Sequence, residues 1–240
     1  MDKKDNFISV IIPAYNEEDN LPLVIASLRA QKQKNFEIIV VDNNSKDNTY
    51  SIAKKLSDKV CKCKEQGLSP ARNYGAKNAK GNILAFIDAD CIASLGWIES
   101  INNGFKDKSI SAMSGLVLHK FKNPLKNVYI NSIFYYQFVY SKIAGKFHHF
   151  ILTSPNIAIR KDIFNKLKGF KKIICEDIYL SKELSKLPGI KIKIDSRMKV
   201  YCSTRRLDKE GFFKTLNYWA FAHLKKVDAS NYALDYKSKH

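Results

Sequence analysis

The sequence predicts an α/β protein in which a mostly parallel central sheet is flanked by helices. Two observations predict it. Through the first half of the chain, short apolar runs alternate with runs whose apolar residues recur every three or four positions. The apolar runs also end in polar clusters, PAYNEE at 13–18, DNNSKDN at 42–48 and DAD at 88–90. Ligands of such sheets bind beyond the carboxyl ends of the strands, so the three clusters are expected on one rim.

FISVIIP at 7–13 is the first strand, and Leu21, Val24, Ile25 and Leu28 follow at helical spacing. FEIIVVD at 36–42 is the second strand, and DNTYSIAKKLS at 47–57 is a helix that Asp47 can cap by accepting a backbone N–H that lacks a helical partner. A short strand near 59–63, a helix from about Ser69 to Asn78 and the strand NILAFI at 82–87 complete this half. The second half alternates less regularly. It holds an aromatic-rich helix near 124–145, an amphipathic helix over 208–226 and a polar tail at 227–240.

With 41 basic and 23 acidic residues, the 240-residue chain carries a net charge of +18 and should attract anions: nucleotides, anionic lipid head groups or nucleic acid. Nucleic acid is not expected, because acids gathered at strand ends repel phosphates unless a metal intervenes. Cys61, Cys63, Cys91, Cys175 and Cys202 form a scattered set, and C-x-C without a second pair is a poor zinc signature, which points to a reducing, cytoplasmic setting. MDKKDNF has no apolar stretch of a signal peptide, and the longest uncharged run, 127–141, is short for a membrane span and contains Asn, Ser and Gln. At most a peripheral contact with the cytoplasmic face of a membrane is expected.

The run FIDADC at 86–91 ends a core strand on two carboxylates, a costly placement unless something compensates them. Residues two apart on a strand face the same way, so Asp88 and Asp90 can both meet a ligand over the rim. Mg2+ and Mn2+ take oxygen ligands and typically combine one or two carboxylates with phosphate oxygens. A solvated acidic turn is the alternative. Pro13 can simply end its strand, and Glu17 and Glu18 can simply favour a helix start. Asp42 follows an apolar run directly, where a carboxylate can accept a base N–H or a ribose hydroxyl. Neither a P-loop nor G-x-G-x-x-G is present, which removes the phosphate cradle of NTP hydrolysis or dinucleotide binding.

Taken in order, PAYNEEDNL, VVDNNSKDNT, GLSPARNYGAKNAKG and FIDAD resemble glycosyltransferase family 2, inverting enzymes of the GT-A fold, over roughly 7–206. The resemblance implies one catalytic domain over 1–226, with a nucleotide-binding half at 1–90 and an acceptor-binding half at 91–226. It implies a nucleotide-diphospho-sugar donor, UDP or GDP linked, with Pro13, Tyr15, Asn16 and Glu17 lining the nucleoside site and Asp42 on the base. Gly67 to Gly75 would close over the base, with Arg72 and Asn73 as the family's Arg-Asn pair. Asp88 would reach ribose or metal, and Asp90 would be the principal ligand of Mn2+ or Mg2+.

In ICEDIYLSKEL at 174–184, Glu176 and Asp177 stand at a helix start, where capping is the ordinary role of acids. The resemblance makes Asp177 the general base toward the acceptor hydroxyl and puts Glu176 beside the acceptor. Ser154 and Asn156 in TSPNIAIRKDIF are candidates for acceptor or sugar contact, against a plain Ser-Pro turn entering a strand. Arg205 and Arg206 stand where related enzymes hold a basic motif near the pyrophosphate, and guanidinium suits phosphate oxygens. No Trp follows Arg206 and this sequence carries no block of spanning helices, which argues against a processive synthase.

The acceptor, glycan or lipid-linked, is less legible, and oligomeric state is not written in the sequence. NVYINSIFYYQFVYS at 127–141 concentrates aromatics for which core packing is the default. The alternative is an interfacial surface on anionic lipid. His148 and His149, without a placed carboxylate, read as ordinary surface or packing residues.

Overall fold

The computed structural model describes residues 6–121, 123–144, 151–173 and 175–205. Arg206, His148, His149, the expected helix over 208–226 and the polar tail lie outside them. The elements are β1 (Ile8–Ala14), α1 (Leu21–Arg29), β2 (Phe36–Asp42), α2 (Thr49–Leu56), β3 (Lys59–Lys62), α3 (Leu68–Asn78), β4 (Ile83–Phe86), β5 (Cys91–Ala93), α4 (Trp97–Phe105), β6 (Ile110–His119), α5 (Pro124–Ala144), β7 (Ile157–Arg160), α6 (Lys161–Lys166), α7 (Glu176–Ser185) and β8 (Lys191–Cys202). They build one sheet of eight strands in the order β3-β2-β1-β4-β7-β6-β8-β5.

The first four strands are parallel, and β1, β2 and β4 are buried throughout, as covered parallel strands are, while β3 is only partly buried. Period-two alternation splits each strand between two cores. Val10, Ile12, Ile38 and Val40 join Leu21, Val24, Ile25, Leu28 and Trp97, whereas Ile11, Ile39 and Val41 face α3. Gly75 sets the approach of that helix, because a Cβ there would lie 2.5 Å from Ile11 Cγ2. The register also builds the rim. Ala14 pairs with Asp42, Phe86 pairs with Ile157 of antiparallel β7, and the acids past β4 therefore meet the Ser154–Asn156 turn that precedes β7.

Three expectations need correction. Asp88 and Asp90 are not strand residues: β4 ends at Phe86, and a turn closed by Cys91 N–H to the Asp88 carbonyl carries them. Both are nonetheless half-buried while Ala89 between them is buried. Second, α2 starts at Thr49 after an Asn48 N-cap, and Asp47 takes the Thr49 N–H from one position further out. Third, the cysteines are not all thiols: Cys91 and Cys202 face each other across β5 and β8 and form a disulfide. Their separation of 111 residues gave the sequence no spacing signal. The pairing is at odds with a reducing setting. Cys61, Cys63 and Cys175 keep their thiols.

His119, at the end of β6, lies against the rings of Phe121 and Phe134, and its Nδ1 is buried with no hydrogen-bond partner among the described residues. Burial pushes its pKa down to about 4. The unfolded chain therefore binds a proton that the folded chain refuses between about pH 6.5 and pH 4. Stability should fall as pH is lowered through that window, by about 3 kcal/mol from this residue. Thermal melts of His119→Phe are expected to show a shallower acid slope than the parent, and equal slopes would show that His119 is not the group responsible.

Candidate active site

The centre of the rim is a buried guanidinium. α3 sets Arg72 fully inside the protein, where Nη2 donates to Asp88 Oδ1 at 2.6 Å and Nη1 donates to Glu176 Oε1. Burial works against this cation, but the charges of Asp88 and Glu176 outweigh it and hold its pKa above the ordinary value. Burial pushes the Glu176 carboxyl up, Arg72 opposes that, and the neighbouring Asp177 charge adds to it. Arg72 therefore compensates half of the acid pair that the strand end could not explain. Its guanidinium ties Asp88, in the turn past β4, to Glu176 at the start of α7.

Glu176 and Asp177 open α7, after Cys175 in the left-handed conformation with φ +60°. Asp177 is half-buried, with Oδ2 taking the Ser154 N–H at 3.0 Å and Oδ1 taking the Ile178 N–H at 2.8 Å. Ser154 Oγ donates to Glu176 Oε1 at 3.1 Å, so the turn before β7 clamps both acids. Burial together with the charges of Asp177 and Glu176 raises the Cys175 thiol to about 12, leaving it inert as a nucleophile at neutral pH.

Another part of the rim is built by the loops after β1 and β2. Asn16, with φ +53°, receives Lys46 N–H on its Oδ1 and donates its own N–H to Ser45 Oγ. Asp42 is buried at the end of β2 and takes the Ser45 N–H, and Tyr15, next to Asn16 in sequence, is half-buried. Pro13 is not a strand stop, since β1 runs to Ala14. Gly67 adopts φ +132° and its N–H is held by Asn43 Oδ1, while Asn43 Nδ2 reaches the Cys63 and Glu65 carbonyls. Asn43 is thus the organiser of this loop, a role hidden in a cluster that reads as helix capping.

Arg205 returns to this side after β8: its Nη2 lies 2.6 Å from Glu17 Oε1, and Ser203 N–H donates to the Asp90 carbonyl. The Cys91–Cys202 bond fastens the same two segments. Two expected site residues are occupied elsewhere. Asn156 is fully buried, its Oδ1 taking Trp97 Nε1–H and its Nδ2 donating to the Leu116 and Met198 carbonyls, so its side chain is a core clasp and not an acceptor contact. Asn73 is spent on both backbone groups of Phe170. Sequence alone could not show this, since both partners lie far along the chain.

A divalent cation fits Asp88 and Asp90 by donor chemistry. Both are oxygen ligands and half-exposed, and no group of three or more acidic, His or Cys side chains among the described residues is placed to hold a metal by itself. Remaining ligands would come from a diphosphate and water, the usual arrangement for Mg2+ or Mn2+.

Comparison with known proteins adds the following. Residues 9–168 match the model of the family described as Glycosyl transferase family 2. The chain is 40% identical over 109 residues to Dolichol-phosphate mannosyltransferase of Pyrococcus furiosus, which covers 40% of this chain and 30% of that protein. It is 39% identical over 87 residues to UDP-Glc:alpha-D-GlcNAc-diphosphoundecaprenol beta-1,3-glucosyltransferase WfaP of Escherichia coli, covering 35% of each chain. The matched region thus spans about a third of these relatives. Among solved structures, mannosyltransferase PcManGT from Pyrobaculum calidifontis in complex with GDP-Man and Mn2+ superposes with a TM-score of 0.66 at 20% identity, over 83% of this chain and 57% of that one. The fold shared with such structures is GT-A.

Proposed function

Because the chain belongs to glycosyltransferase family 2, we propose that it transfers a sugar, with inversion, from a UDP- or GDP-linked donor to a hydroxyl of a lipid-linked glycan in cell-envelope synthesis. The observation that carries this is the Asp88–Arg72–Glu176–Ser154–Asp177 chain, which fixes a donor-side acid and a candidate base at opposite ends of one rigid network. The relatives support the substrate classes, since one is named for a UDP-sugar and a diphosphoundecaprenol-linked acceptor.

Asp42 and the Gly67 loop receive the nucleoside, and Tyr15 and Asn16 wall it. Asp88 and Asp90 would hold Mn2+ or Mg2+, which would supply Lewis-acid stabilisation of charge on a leaving diphosphate. Arg205, now paired with Glu17, turns its guanidinium to the diphosphate oxygens; Arg206 is proposed to assist it. Glu176 and the Ser154 turn orient the acceptor. Asp177 takes the proton of the attacking hydroxyl as that oxygen bonds to the anomeric carbon and the diphosphate departs from the opposite face. Its two backbone N–H donors aim the carboxylate without neutralising it.

Calorimetric titration with UDP and GDP sugars, with and without Mn2+, tests the donor half. Binding is expected to strengthen at least about tenfold with metal, and Asp90→Asn should remove that gain; one carboxylate ligand lost typically costs this much or more. Binding indifferent to metal would refute the assignment. A second acceptor, a polyprenyl phosphate, is favoured by the relative named as a dolichol-phosphate mannosyltransferase.

A further inference from the structure

α5 is two-faced. Ile130, Phe138 and Ser141 are buried on its inner side, Ile130 against Phe121, with Phe134 half-buried between them. On the opposite side Leu125, Tyr129, Tyr136, Tyr140 and Ile143, stepping round the helix with Ser132 at intervals of three and four, face outward, and Val128 flanks them. Leu125 is 82% exposed, Tyr136 73% and Val128 71%. The expectation that the aromatic run packs in the core therefore holds for Phe138 and fails for the tyrosines. No described helix is long and apolar enough to cross a membrane.

We propose that this outer face of α5 docks on an anionic phospholipid surface and presents the active site to a lipid-linked acceptor; the second clause rests on the acceptor reading above. Charge selects this occupant. Between Asp107 and Asp162 the chain has no acidic residue, and Lys120, Lys126 and Lys142 are exposed around the stripe. Basic side chains bordering an apolar face suit anionic head groups, and tyrosine rings suit the boundary between head groups and acyl chains. At about 1.5 Å per residue the stripe can lie along the interface for roughly 30 Å.

The position of the helix relative to the chemistry agrees. Ser141 Oγ bonds both backbone groups of Ile151, the next residue's N–H donates to Ser181 Oγ, and Ser181 Oγ donates to the Asp177 carbonyl. The docking helix is thus connected to the candidate base through Ile151, Leu152 and Ser181, in three hydrogen-bonded steps. An acceptor whose lipid stays in the membrane would need only its head group to reach the rim.

Sedimentation with phosphatidylcholine vesicles, with and without phosphatidylglycerol, tests the surface without donor, metal or acceptor, so its outcome is independent of the transferase assignment. The protein is expected to bind the anionic vesicles. Val128→Glu/Tyr136→Glu should lower the partition at least tenfold with an unchanged melting temperature, and Lys126→Glu or Lys142→Glu should each lower it about fivefold or more, on anionic vesicles only. No binding by the parent protein, or equal binding by the stripe variant, overturns the proposal. So does a dimer, seen by light scattering and abolished by Tyr136→Glu, in a protein that ignores vesicles. A lowered melting temperature in the stripe variant without vesicle binding would show that the chain itself covers the face, and overturns it as well.

Discussion

Asp177→Asn is expected to lower kcat by a factor of about 10^2 to 10^4, the usual contribution of a positioned general base, with little change in the KM for the donor. Asn preserves the shape of the carboxylate and one acceptor oxygen for the Ser154 N–H, which sits 3.0 Å from Oδ2. It cannot take a proton. The loss should also resist rescue by metal, which acts on the departing diphosphate and not on the acceptor. The result separates the two acceptor chemistries. A hydroxyl needs its proton removed as it attacks, whereas a polyprenyl phosphate oxygen is already anionic. A variant that keeps near-full turnover with polyprenyl phosphate and fails with saccharide acceptors would identify the acceptor as phosphate. One that keeps full turnover with saccharide hydroxyls would show that Asp177 is not the base.

The parts of this site legible in the sequence are those fixed by local pattern. The apolar runs at 7–13 and 36–42 announce buried parallel strands, and the strands' common direction carries Asp42 and the 88–90 acids to one rim. What could not be read depends on partners brought together from far away. Nothing near Arg72 shows that its guanidinium is enclosed by Asp88 and Glu176, the latter 104 residues on. Asn156 reads as a rim residue because it follows a Ser-Pro turn, yet a half-turn of the chain points it inward to Trp97. The Cys91–Cys202 pair is invisible for the same reason, since β5 and β8 are strands of opposite direction from distant segments. In α5 the spacing gave both faces at once, and only packing could say which one the sheet covers.

Arg72→Met is expected to be the most damaging single change in the rim, costing about 3–5 kcal/mol of stability, the usual penalty for leaving a buried charge without its partner. Methionine fills much of the arginine stem, so the loss reports charge and not cavity. Removing the cation leaves Glu176 buried at 9% exposure beside Asp177, and the pKa of Glu176, already raised by burial, must rise further. The folded variant would then bind a proton in a range above pH 4.5 where the unfolded carboxyl has released it, so its stability should be greatest in mild acid and fall as pH rises. Melts at pH 5 and pH 8 are therefore expected to show a smaller deficit at the lower pH. Arg72→Lys should be intermediate, because an ammonium cannot hold two carboxylates in a planar fork. The decisive comparison is Arg72→Met/Glu176→Gln. If the penalty comes from an uncompensated carboxylate, the second change removes that charge and restores part of the lost stability, a coupling of order 1 kcal/mol or more between residues in direct contact. A double variant no more stable than Arg72→Met, with a deficit independent of pH, would mean that Arg72 supports the rim by packing alone.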